Sequence, residues 1–368
     1  MGMQVLLFLI SSAVILLGSH LLLGYSLIRF FNITNPTARY GLVIVILLFT
    51  ASFVVASALV RFQENIFSKT LYRVSAVWLG LLVNLLLACA AVWFLRLIFI
   101  NNKALTIILF AAAALYSVYG VWNAFHPQVK KIDVTIKNLP QVWQGKTIVQ
   151  LSDVHIGAVH GQDFLKQIVY QVNALNPEMV VITGDLFDGM DGAEGLPSVI
   201  NDINAPRGVY FITGNHETYF GLDKAFNILK QTKIKILDDK TVDLDGLQIV
   251  GVSYPNDRSF NEARDLKKVS SSMDNFVAGK PTILLYHSPM PSIIKQAKEL
   301  GVNLQLSGHT HAGQIFPFGF ITKILYDGYD YGLRTDGDYN IYTSNGVGTW
   351  GPPMRTGNTP EIVAVTLK

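Results

Sequence analysis

Five short motifs place side chains that could bind metals directly after apolar runs rich in β-branched residues. The chain contains eight histidines, and five of them fall within these motifs. Such runs predict buried strands, so the polar side chains are expected at strand ends, where the sites of α/β folds usually lie. The five motifs are Ser152-Asp153-Val154-His155, Gly184-Asp185-Leu186-Phe187-Asp188, Gly214-Asn215-His216-Glu217, Tyr286-His287-Ser288 and Gly308-His309-Thr310-His311.

The seven candidate metal ligands in the motifs are two carboxylates, one amide oxygen and four imidazoles, with no thiolate. Ligands of these types suit divalent first-row metals such as Mn, Fe, Zn or Co. Two ions about 3.5–4 Å apart that share a carboxylate activate a bridging water and neutralise charge on a phosphoryl oxygen. The sequence therefore predicts a site for two divalent metal ions that acts on a phosphate ester. The candidate ligands are Asp153, His155, Asp185, Asn215, His287, His309 and His311.

The series D-x-H, GD-x-x-D, GNHE, a lone His after a strand, and GH-x-H resembles the calcineurin-like metallophosphoesterases. The resemblance covers residues 146–368, and residues 304–314 and 346–355 look like the membrane-associated bacterial branch of that family. It implies a four-layer α-β-β-α sandwich, two divalent metals, and hydrolysis of a phosphoester or pyrophosphate bond by a hydroxide that bridges the metals.

The resemblance also implies which metal each ligand would hold. The ligands of the first metal would be Asp153, His155 and His311. The ligands of the second metal would be Asn215, His287 and His309, with Asp185 bridging the two ions.

The other motif residues are expected to act around the metals. By the same resemblance, His216 would stabilise the transition state or protonate the leaving oxygen, and Asp188 would orient its ring. An Asp–His pair holds an imidazole in one tautomer and keeps it basic. Glu217 is expected to brace its loop rather than to react. Relatives that act on phosphoproteins usually carry Arg directly after the second Asp of GD-x-x-D, where this chain has Gly189, so a protein phosphatase is disfavoured.

The composition indicates that part of the chain lies in lipid. Of 368 residues, 50% are hydrophobic and 15% charged, and the mean hydropathy is +0.35. Residues 1–125 carry seven Lys or Arg and one acid, whereas the remainder carries 22 basic and 25 acidic residues. The second part therefore has no basic surface of the kind that nucleic acids require, and a nucleic-acid partner is not expected.

Four runs free of charged residues are each long enough to cross a bilayer as a helix. We predict spans near residues 4–26, 41–60, 74–95 and 104–124 within a transmembrane domain of residues 1–125. The first run has no basic segment before it, so it is interpreted as a retained span and not as a signal peptide. A connector of residues 126–145 and a phosphoesterase domain of residues 146–368 are expected to follow.

Four spans would place both chain ends on the same side of the membrane. The loops on that side hold six basic residues and those on the other side hold four, which favours a cytoplasmic catalytic domain by the positive-inside rule. The six are Arg61, Lys69, Arg73, Lys130, Lys131 and Lys137, and the four are Arg29, Arg39, Arg96 and Lys103.

Strand-like and helix-like runs alternate in the second domain, which predicts sheets covered by helices. Residues 130–138 predict an edge strand, and helices are expected at residues 163–175, 223–231 and 291–300. The main strands are predicted at residues 147–151, 179–183, 209–213, 247–252, 282–286, 302–306, 339–343 and 362–367.

Four further features lie outside the motifs, and two of them have two interpretations each. The aromatic residues 315–320 are either a loop that grips an acyl chain or touches the bilayer, or a buried plug. The glycine-rich residues 344–351 could approach the metals through their backbone. Arg355 is either a second phosphate ligand or a partner in a structural salt bridge, and His160 is expected to be exposed.

The sequence thus predicts a membrane-anchored metallophosphoesterase whose substrate is a phosphate ester. A lipid-linked substrate is expected, because the anchor raises the effective concentration of membrane-borne molecules. Two alternatives stay open. One is a phosphodiesterase that acts on soluble nucleotides. The other is a membrane scaffold that binds metal without turnover, although no ligand or catalytic histidine of the motifs is missing.

Overall fold

The computed structural model describes residues 3–98, 101–190, 193–255, 262–272 and 276–368. The chain divides into two compact units. The helical unit consists of Met1–Trp122 and Gly351–Thr356, and the sheet unit consists of Asn123–Trp350 and Gly357–Lys368.

The helical unit contains four long helices. Each is long and apolar enough to cross a membrane, with mean hydropathies from 1.7 to 2.8. Every predicted span lies inside one of these helices, and the helices extend beyond the apolar runs because capping residues such as Asn65, which forms a capping box with Ser68, continue them. Their bounds are Met3–Phe31 (α1), Pro36–Phe62 (α2), Ile66–Leu97 (α3) and Lys103–Ala124 (α4).

The segment Gly351–Thr356 packs within the helical unit although it lies more than 220 residues after α4 in the sequence. Two glycines make room for it. A Cβ atom on Gly80 of α3 would lie 2.8 Å from Cε of Met354, and one on Gly120 of α4 would lie 2.7 Å from Cγ of Met354. The N–H of Arg355 donates to the carbonyl oxygen of Gly120 at 2.8 Å. Small residues of α3 and α4 thus form the seat of this segment, as in close helix packing in membranes.

Polar side chains complete this seat. Nδ2 of Asn84 donates to Oγ of Ser117 at 2.8 Å and lies 3.5 Å from Sδ of Met354. The hydroxyl of Tyr116 donates to the carbonyl oxygen of Thr356 at 2.5 Å. Asn84 is therefore a contact between helices and this segment, and it is 2% exposed.

Two six-stranded sheets form the centre of the sheet unit. The first has the strand order β1-β12-β2-β3-β4-β5 and the second has the order β10-β11-β9-β8-β7-β6. The strand bounds are Gln128–Val134 (β1), Thr147–Leu151 (β2), Met179–Thr183 (β3), Val209–Ile212 (β4), Ile234–Ile236 (β5), Lys240–Leu244 (β6), Leu247–Val252 (β7), Thr282–Tyr286 (β8), Leu304–Ser307 (β9), Gly332–Asp336 (β10), Tyr339–Thr343 (β11) and Glu361–Leu367 (β12).

All the predicted strands are present, and three further strands were not predicted. These three, β5, β6 and β10, lie at sheet edges. They are short or only partly buried, so they lack the apolar run that identifies a central strand. Residues 126–145, which the sequence analysis treats as a connector, contain β1, which pairs in parallel with β12.

Three apolar layers show that the sheet unit is an α-β-β-α sandwich, as the resemblance implies. Neighbouring residues of β2 point to opposite faces: Ile148 packs between the sheets and Val149 packs under the helices of the first sheet. A third layer lies between the second sheet and α9 and α10. The helices of this unit are Gln162–Ala174 (α5), Leu196–Ile200 (α6), Asn215–Phe220 (α7), Leu222–Leu229 (α8), Glu262–Ser272 (α9), Pro291–Glu299 (α10) and Gly319–Leu325 (α11).

Substitution of Gly120 tests the seat of residues 351–356. We expect Gly120→Leu to lower the midpoint of thermal unfolding of the detergent-solubilised protein by roughly 2–4 °C, because its side chain would overlap Met354 and Thr356. Gly18→Leu on α1 is the control, since a Cβ atom there meets nothing within 4 Å. Equal midpoints for the two variants would contradict this packing.

Candidate metal centre

The seven candidate ligands all follow strands whose carboxyl ends meet at one edge of the sandwich. Asp153 and His155 come after β2, and Asp185 comes after β3. Asn215 begins α7 after β4, while the histidines of the last two motifs come after β8 and β9. Strands β2, β3 and β4 are parallel neighbours in one sheet, and β8 and β9 are parallel neighbours in the other. The topology therefore brings all the predicted ligands together.

Most of these ligands have a left-handed backbone conformation. A non-glycine residue with positive φ is uncommon and costs free energy, so a cluster of such residues marks a functional site. Left-handed φ values between 49° and 74° occur at Asp153, His155, Asp185, His309 and His311.

Three ligands form the first group. Atoms of Asp153, His155 and His311 lie within 4.8 Å of one another. Nε2 of His155 is 3.1 Å from Nε2 of His311, and the latter atom is 3.5 Å from Oδ1 of Asp153. Nδ1 of His155 lies 2.9 Å from Oδ1 of Asp188. Because a carboxylate accepts, the proton of His155 sits on Nδ1, and the Nε2 lone pair faces the other ligands.

The second group is built around His287. Its Nε2 lies 3.2 Å from each of three ligand atoms, which are Oδ2 of Asp185, Oδ1 of Asn215 and Nδ1 of His309. Nδ1 of His287 donates to the carbonyl oxygen of Thr183 at 2.8 Å. Nε2 of His287 therefore faces the other ligand atoms of this group.

Asp185 lies between the two groups. Its Oδ2 atom is 3.2 Å from Nε2 of His287 and 3.9 Å from Nε2 of His155. Its other oxygen accepts the backbone N–H of His216 at 2.8 Å. One carboxylate oxygen is therefore within reach of both groups.

The residues present fit divalent metal ions. Nitrogen and oxygen donor atoms converge within 3.1–3.2 Å of one another in both groups, so neutral rings would direct their lone pairs at a single cation. Metal-bound histidines characteristically donate their second N–H to a carboxylate or a carbonyl, as His155 and His287 do here. Buried oxygen and nitrogen donors without thiolates suit Mn, Fe, Zn or Co.

The carboxylates draw positive charge into the site. Burial disfavours the charged form of His287, but Asp185 and Asp153 outweigh burial and raise the pKa of His287 to about 10. Burial and the charge on His287 lower the pKa of His309 to about 3. Burial also opposes ionisation of Asp185, yet the imidazoles of His287 and His216 hold its pKa well below the usual range. This negative potential is what a site for divalent cations requires.

His216 lies beside the ligands and has its own carboxylate partner. Its Nδ1 is 2.5 Å from Oδ1 of Asp188, and its ring stands perpendicular to that of His155 with centroids 4.6 Å apart. Burial disfavours its charged form, but Asp185 and Asp188 raise the pKa of His216 to about 9. The arrangement orients Nε2 away from Asp188. Asp188 has a second contact that the sequence did not predict, because the same oxygen also accepts from His155.

Glu217 joins two of the ligand loops, as predicted. It is fully buried, and its carboxylate accepts four backbone N–H groups. The donors are Asp185 at 3.0 Å, Leu186 at 2.7 Å, Phe187 at 3.1 Å and Gly214 at 2.7 Å.

Two glycines of the motifs are required by close approach. A Cβ atom on Gly214 would lie 2.1 Å from Oδ1 of Asp185, and one on Gly308 would lie 2.3 Å from Oδ2 of Asp153. Any larger residue would displace a ligand carboxylate. This explains why a glycine precedes the ligand in both GNHE and GH-x-H.

Of the glycine-rich residues 344–351, two donate backbone hydrogen bonds to the loop that carries Asp153. The N–H of Val347 donates to the carbonyl oxygen of Ser152 at 2.9 Å, and the N–H of Gly348 donates to that of Asp153 at 2.8 Å. His160, which we expected to be exposed, is fully buried, and its Nε2 is 2.9 Å from Oγ1 of Thr349. The expectation was wrong because a neighbouring loop, and not solvent, covers the residues after the first motif.

Arg355 lies in the helical unit and is fully buried there. The interpretation of Arg355 as a phosphate ligand therefore has no support from its position. The sequence could not reveal this, because the packing of residues 351–356 with α3 and α4 depends on contacts between residues far apart in the chain.

Four aromatic rings against the site histidines were not singled out from the sequence. Their ring centroids lie 5.3–6.4 Å from those of His216, His287 or His309. Only Tyr219 could have been recognised from the sequence, because it stands three residues after His216 and therefore on the same face of a helix. The four are Tyr219, Tyr254, Tyr326 and Trp350.

Comparisons with known proteins show which family the chain resembles. Residues 146–313 match the model of the calcineurin-like phosphoesterase family. The chain is 36% identical over 280 residues to an uncharacterized metallophosphoesterase of Campylobacter jejuni, covering 74% of this chain and 71% of that protein. It is 29% identical over 273 residues to a transmembrane protein with metallophosphoesterase domain of Danio rerio, covering 72% of this chain and 62% of that protein.

Among solved structures, a dimetal phosphatase from Danio rerio is 15% identical, has a TM-score of 0.35, and is matched over 55% of this chain and 88% of that chain. The chain belongs to the calcineurin-like metallophosphoesterases. It is a metal-dependent phosphoester hydrolase, and its four apolar helices together with the transmembrane relatives indicate that it is associated with a membrane.

Replacement of Glu217 tests its role in holding the ligand loops. We expect Glu217→Gln to lower the free energy of unfolding by roughly 1–3 kcal/mol, because an amide NH₂ would face backbone N–H donors. The change in stability is measured by thermal unfolding. The rate of hydrolysis of p-nitrophenyl phosphate should also fall, because the loops of Asp185 and Asn215 shift. The exposed Glu299→Gln serves as the control. Unchanged stability and activity of Glu217→Gln would contradict the bracing role.

Proposed function

We propose that this protein is a multi-pass membrane phosphoesterase with two divalent metal ions, and that its substrate is lipid-linked. The observation that carries the proposal is the pair of ligand groups with Asp185 between them, 3.2 Å from His287 and 3.9 Å from His155. One metal would be held by Asp153, His155 and His311. The other would be held by Asn215, His287 and His309, and Asp185 would bridge the two.

When bound, the metals would supply positive charge that activates water and stabilises the phosphoryl oxygens. The chain's own residues would position the reaction and move the proton. A water oxygen adds to phosphorus and releases a proton to the solvent, and the bond from phosphorus to the leaving oxygen breaks. The leaving oxygen takes a proton from Nε2 of His216, which then regains a proton from the solvent. Asp188 holds the Nδ1 proton of His216 at 2.5 Å, which fixes the tautomer and aims Nε2 at the substrate.

One feature supports a membrane-borne substrate, and another supports the side of the membrane on which the catalytic unit lies. The four apolar helices would keep the enzyme at the bilayer, where a lipid-linked substrate reaches a high effective concentration. The excess of basic residues in the loops on the side of the termini favours a cytoplasmic catalytic unit. Hydrolysis of soluble nucleotides and binding of metal without turnover are the outcomes against which this proposal is tested.

Metal analysis tests the two-ion site. We expect mass spectrometry of the purified, detergent-solubilised protein to find two divalent ions per chain. His309→Ala should lose one ion, since it removes a ligand of one group only, whereas the exposed His126→Ala should keep both. A wild-type protein that is active with a single ion would contradict the assignment of Asp185 as a bridge.

The role of His216 is tested with leaving groups of different basicity. We expect His216→Gln to lower kcat by about 10²–10⁴-fold on an alkyl phosphoester, whose leaving oxygen needs a proton. The loss should be much smaller on a p-nitrophenyl ester, whose leaving group departs as the anion. His126→Gln is the matched control. An equal loss on both esters would indicate that His216 stabilises charge rather than donating a proton.

A substrate panel tests the lipid proposal. The solubilised protein is assayed with Mn²⁺ on bis-p-nitrophenyl phosphate, p-nitrophenyl phosphate, a nucleotide-linked glycolipid and a phospholipid, beside Asp185→Asn. We expect turnover of a lipid substrate that the variant lacks. Turnover of the soluble esters alone would support the enzymatic activity but would contradict the proposal of a lipid substrate. Metal binding with no turnover would favour a scaffold.

A further inference from the structure

Helix α11 of the sheet unit exposes an apolar face directly after the GH-x-H motif. None of its residues is buried, and its large apolar side chains are between 52% and 79% exposed. They repeat at intervals of one and four residues, so they share one side of the helix. These residues are Phe320, Ile321, Ile324 and Leu325. Exposed apolar groups in one contiguous patch mark a surface that contacts another apolar phase.

The helix is held firmly beside the metal ligands. A Cβ atom on Gly313 would lie 2.2 Å from the backbone nitrogen of Gly319, so the turn that contains His311 touches the first residue of α11. Oγ1 of Thr322, on the opposite side of the helix, donates to Oδ2 of Asp330 at 3.0 Å. The polar side of α11 is thus tied to the protein, and its apolar side is directed to the surroundings.

At its far end the helix leads back to the site. Tyr326 follows α11 directly, and its ring lies 6.2 Å from that of the candidate ligand His309. The C-terminal end of α11 therefore lies beside a candidate metal ligand.

The composition of this face fits a bilayer better than a protein partner. The helix contains Phe, Ile and Leu with one exposed cation, Lys323, and no acid. Apolar residues beside a basic side chain are typical of helices that lie in the headgroup region, where the cation meets lipid phosphate. Phe316 and Phe318, just before the helix, are also 44% and 41% exposed, and aromatic rings favour that region.

We propose that the apolar face of α11, with the aromatic residues before it, inserts into the interfacial region of the lipid bilayer and so presents lipid phosphoesters to the metal site. The effect of this contact on catalysis rests on the proposed function, because a bilayer contact at this point serves catalysis only if the substrate is membrane-borne. The contact itself is a property of the surface and is measured without catalysis.

The test uses the full-length protein in proteoliposomes. The chain has a single cysteine, Cys89, so a Cys89→Ser background allows one site to be labelled. A dye is attached at Ile324→Cys on α11 or, as a control, at Tyr170→Cys, which is 77% exposed on α5. The quencher is a phospholipid with brominated acyl chains. We expect the dye at residue 324 to lose at least about half of its fluorescence and the dye at residue 170 to lose none.

Equal, weak quenching at both positions would overturn the inference. So would a dye at residue 324 that is shielded from aqueous iodide but not quenched by the brominated lipid, because a second copy of the chain or another protein would then cover the face.

An activity test separates this inference from the proposed function. Phe320→Ser with Ile324→Ser should lower hydrolysis of a lipid phosphoester in liposomes by about tenfold or more and leave hydrolysis of bis-p-nitrophenyl phosphate unchanged. Tyr170→Ser should change neither. If wild-type protein hydrolyses the lipid and the double variant does so equally well, the inference fails while the proposed function stands. If the dye is quenched but no lipid is hydrolysed, the contact of α11 with the bilayer is supported and the proposal of a lipid substrate is contradicted.

Discussion

The fold has to hold nitrogen and oxygen donor atoms of several side chains close together in a buried space. Nε2 of His155 lies 3.1 Å from that of His311, and Nε2 of His287 lies 3.2 Å from Oδ1 of Asn215. Burial of polar and charged groups is unfavourable unless each is hydrogen-bonded or paired, so contacts behind the ligands have to maintain the arrangement. Asp188 and the carbonyl group of Thr183 fix the rings, and the two apolar layers of the first sheet fix the strands from which the loops emerge. The rest of the sandwich therefore compensates for the free-energy cost of this site.

Part of the free-energy cost of the site arises from the backbone conformation of the ligand loops. Five of the ligands have left-handed φ values, which non-glycine residues adopt only where surrounding structure compensates. Glu217 supplies such compensation, because one buried carboxylate satisfies four backbone N–H groups from two loops. The N–H groups of Val347 and Gly348 do the same for the loop that carries Asp153. Each ligand loop is thus held by hydrogen bonds to its backbone rather than by the metal alone.

The sequence predicted the parts of this site that depend on local order and missed those that depend on distant contacts. The ligands could be located because each follows an apolar strand, and parallel strands bring their carboxyl ends to one edge. The role of Glu217 followed from its place beside Asn215. By contrast, the second partner of Asp188, the burial of His160 against Thr349 and the aromatic ring of Trp350 beside His216 join residues far apart in the chain. No local pattern encodes such pairs. Edge strands such as β10 are also missed, because their exposed residues do not form the apolar run that identifies a strand.

The segment Gly351–Thr356 shows how far such distant contacts extend. The N–H of Arg355 donates to the carbonyl oxygen of Gly120 in α4, and Gly80 and Gly120 leave room for the side chain of Met354. Nothing in the sequence of residues 351–356 distinguishes them from a loop of the sheet unit. The matching signal consists of small residues in α3 and α4, which lie more than 220 residues earlier in the chain. A packed pair of this kind is specified only by the folded structure, because neither partner alone carries a pattern that points to the other.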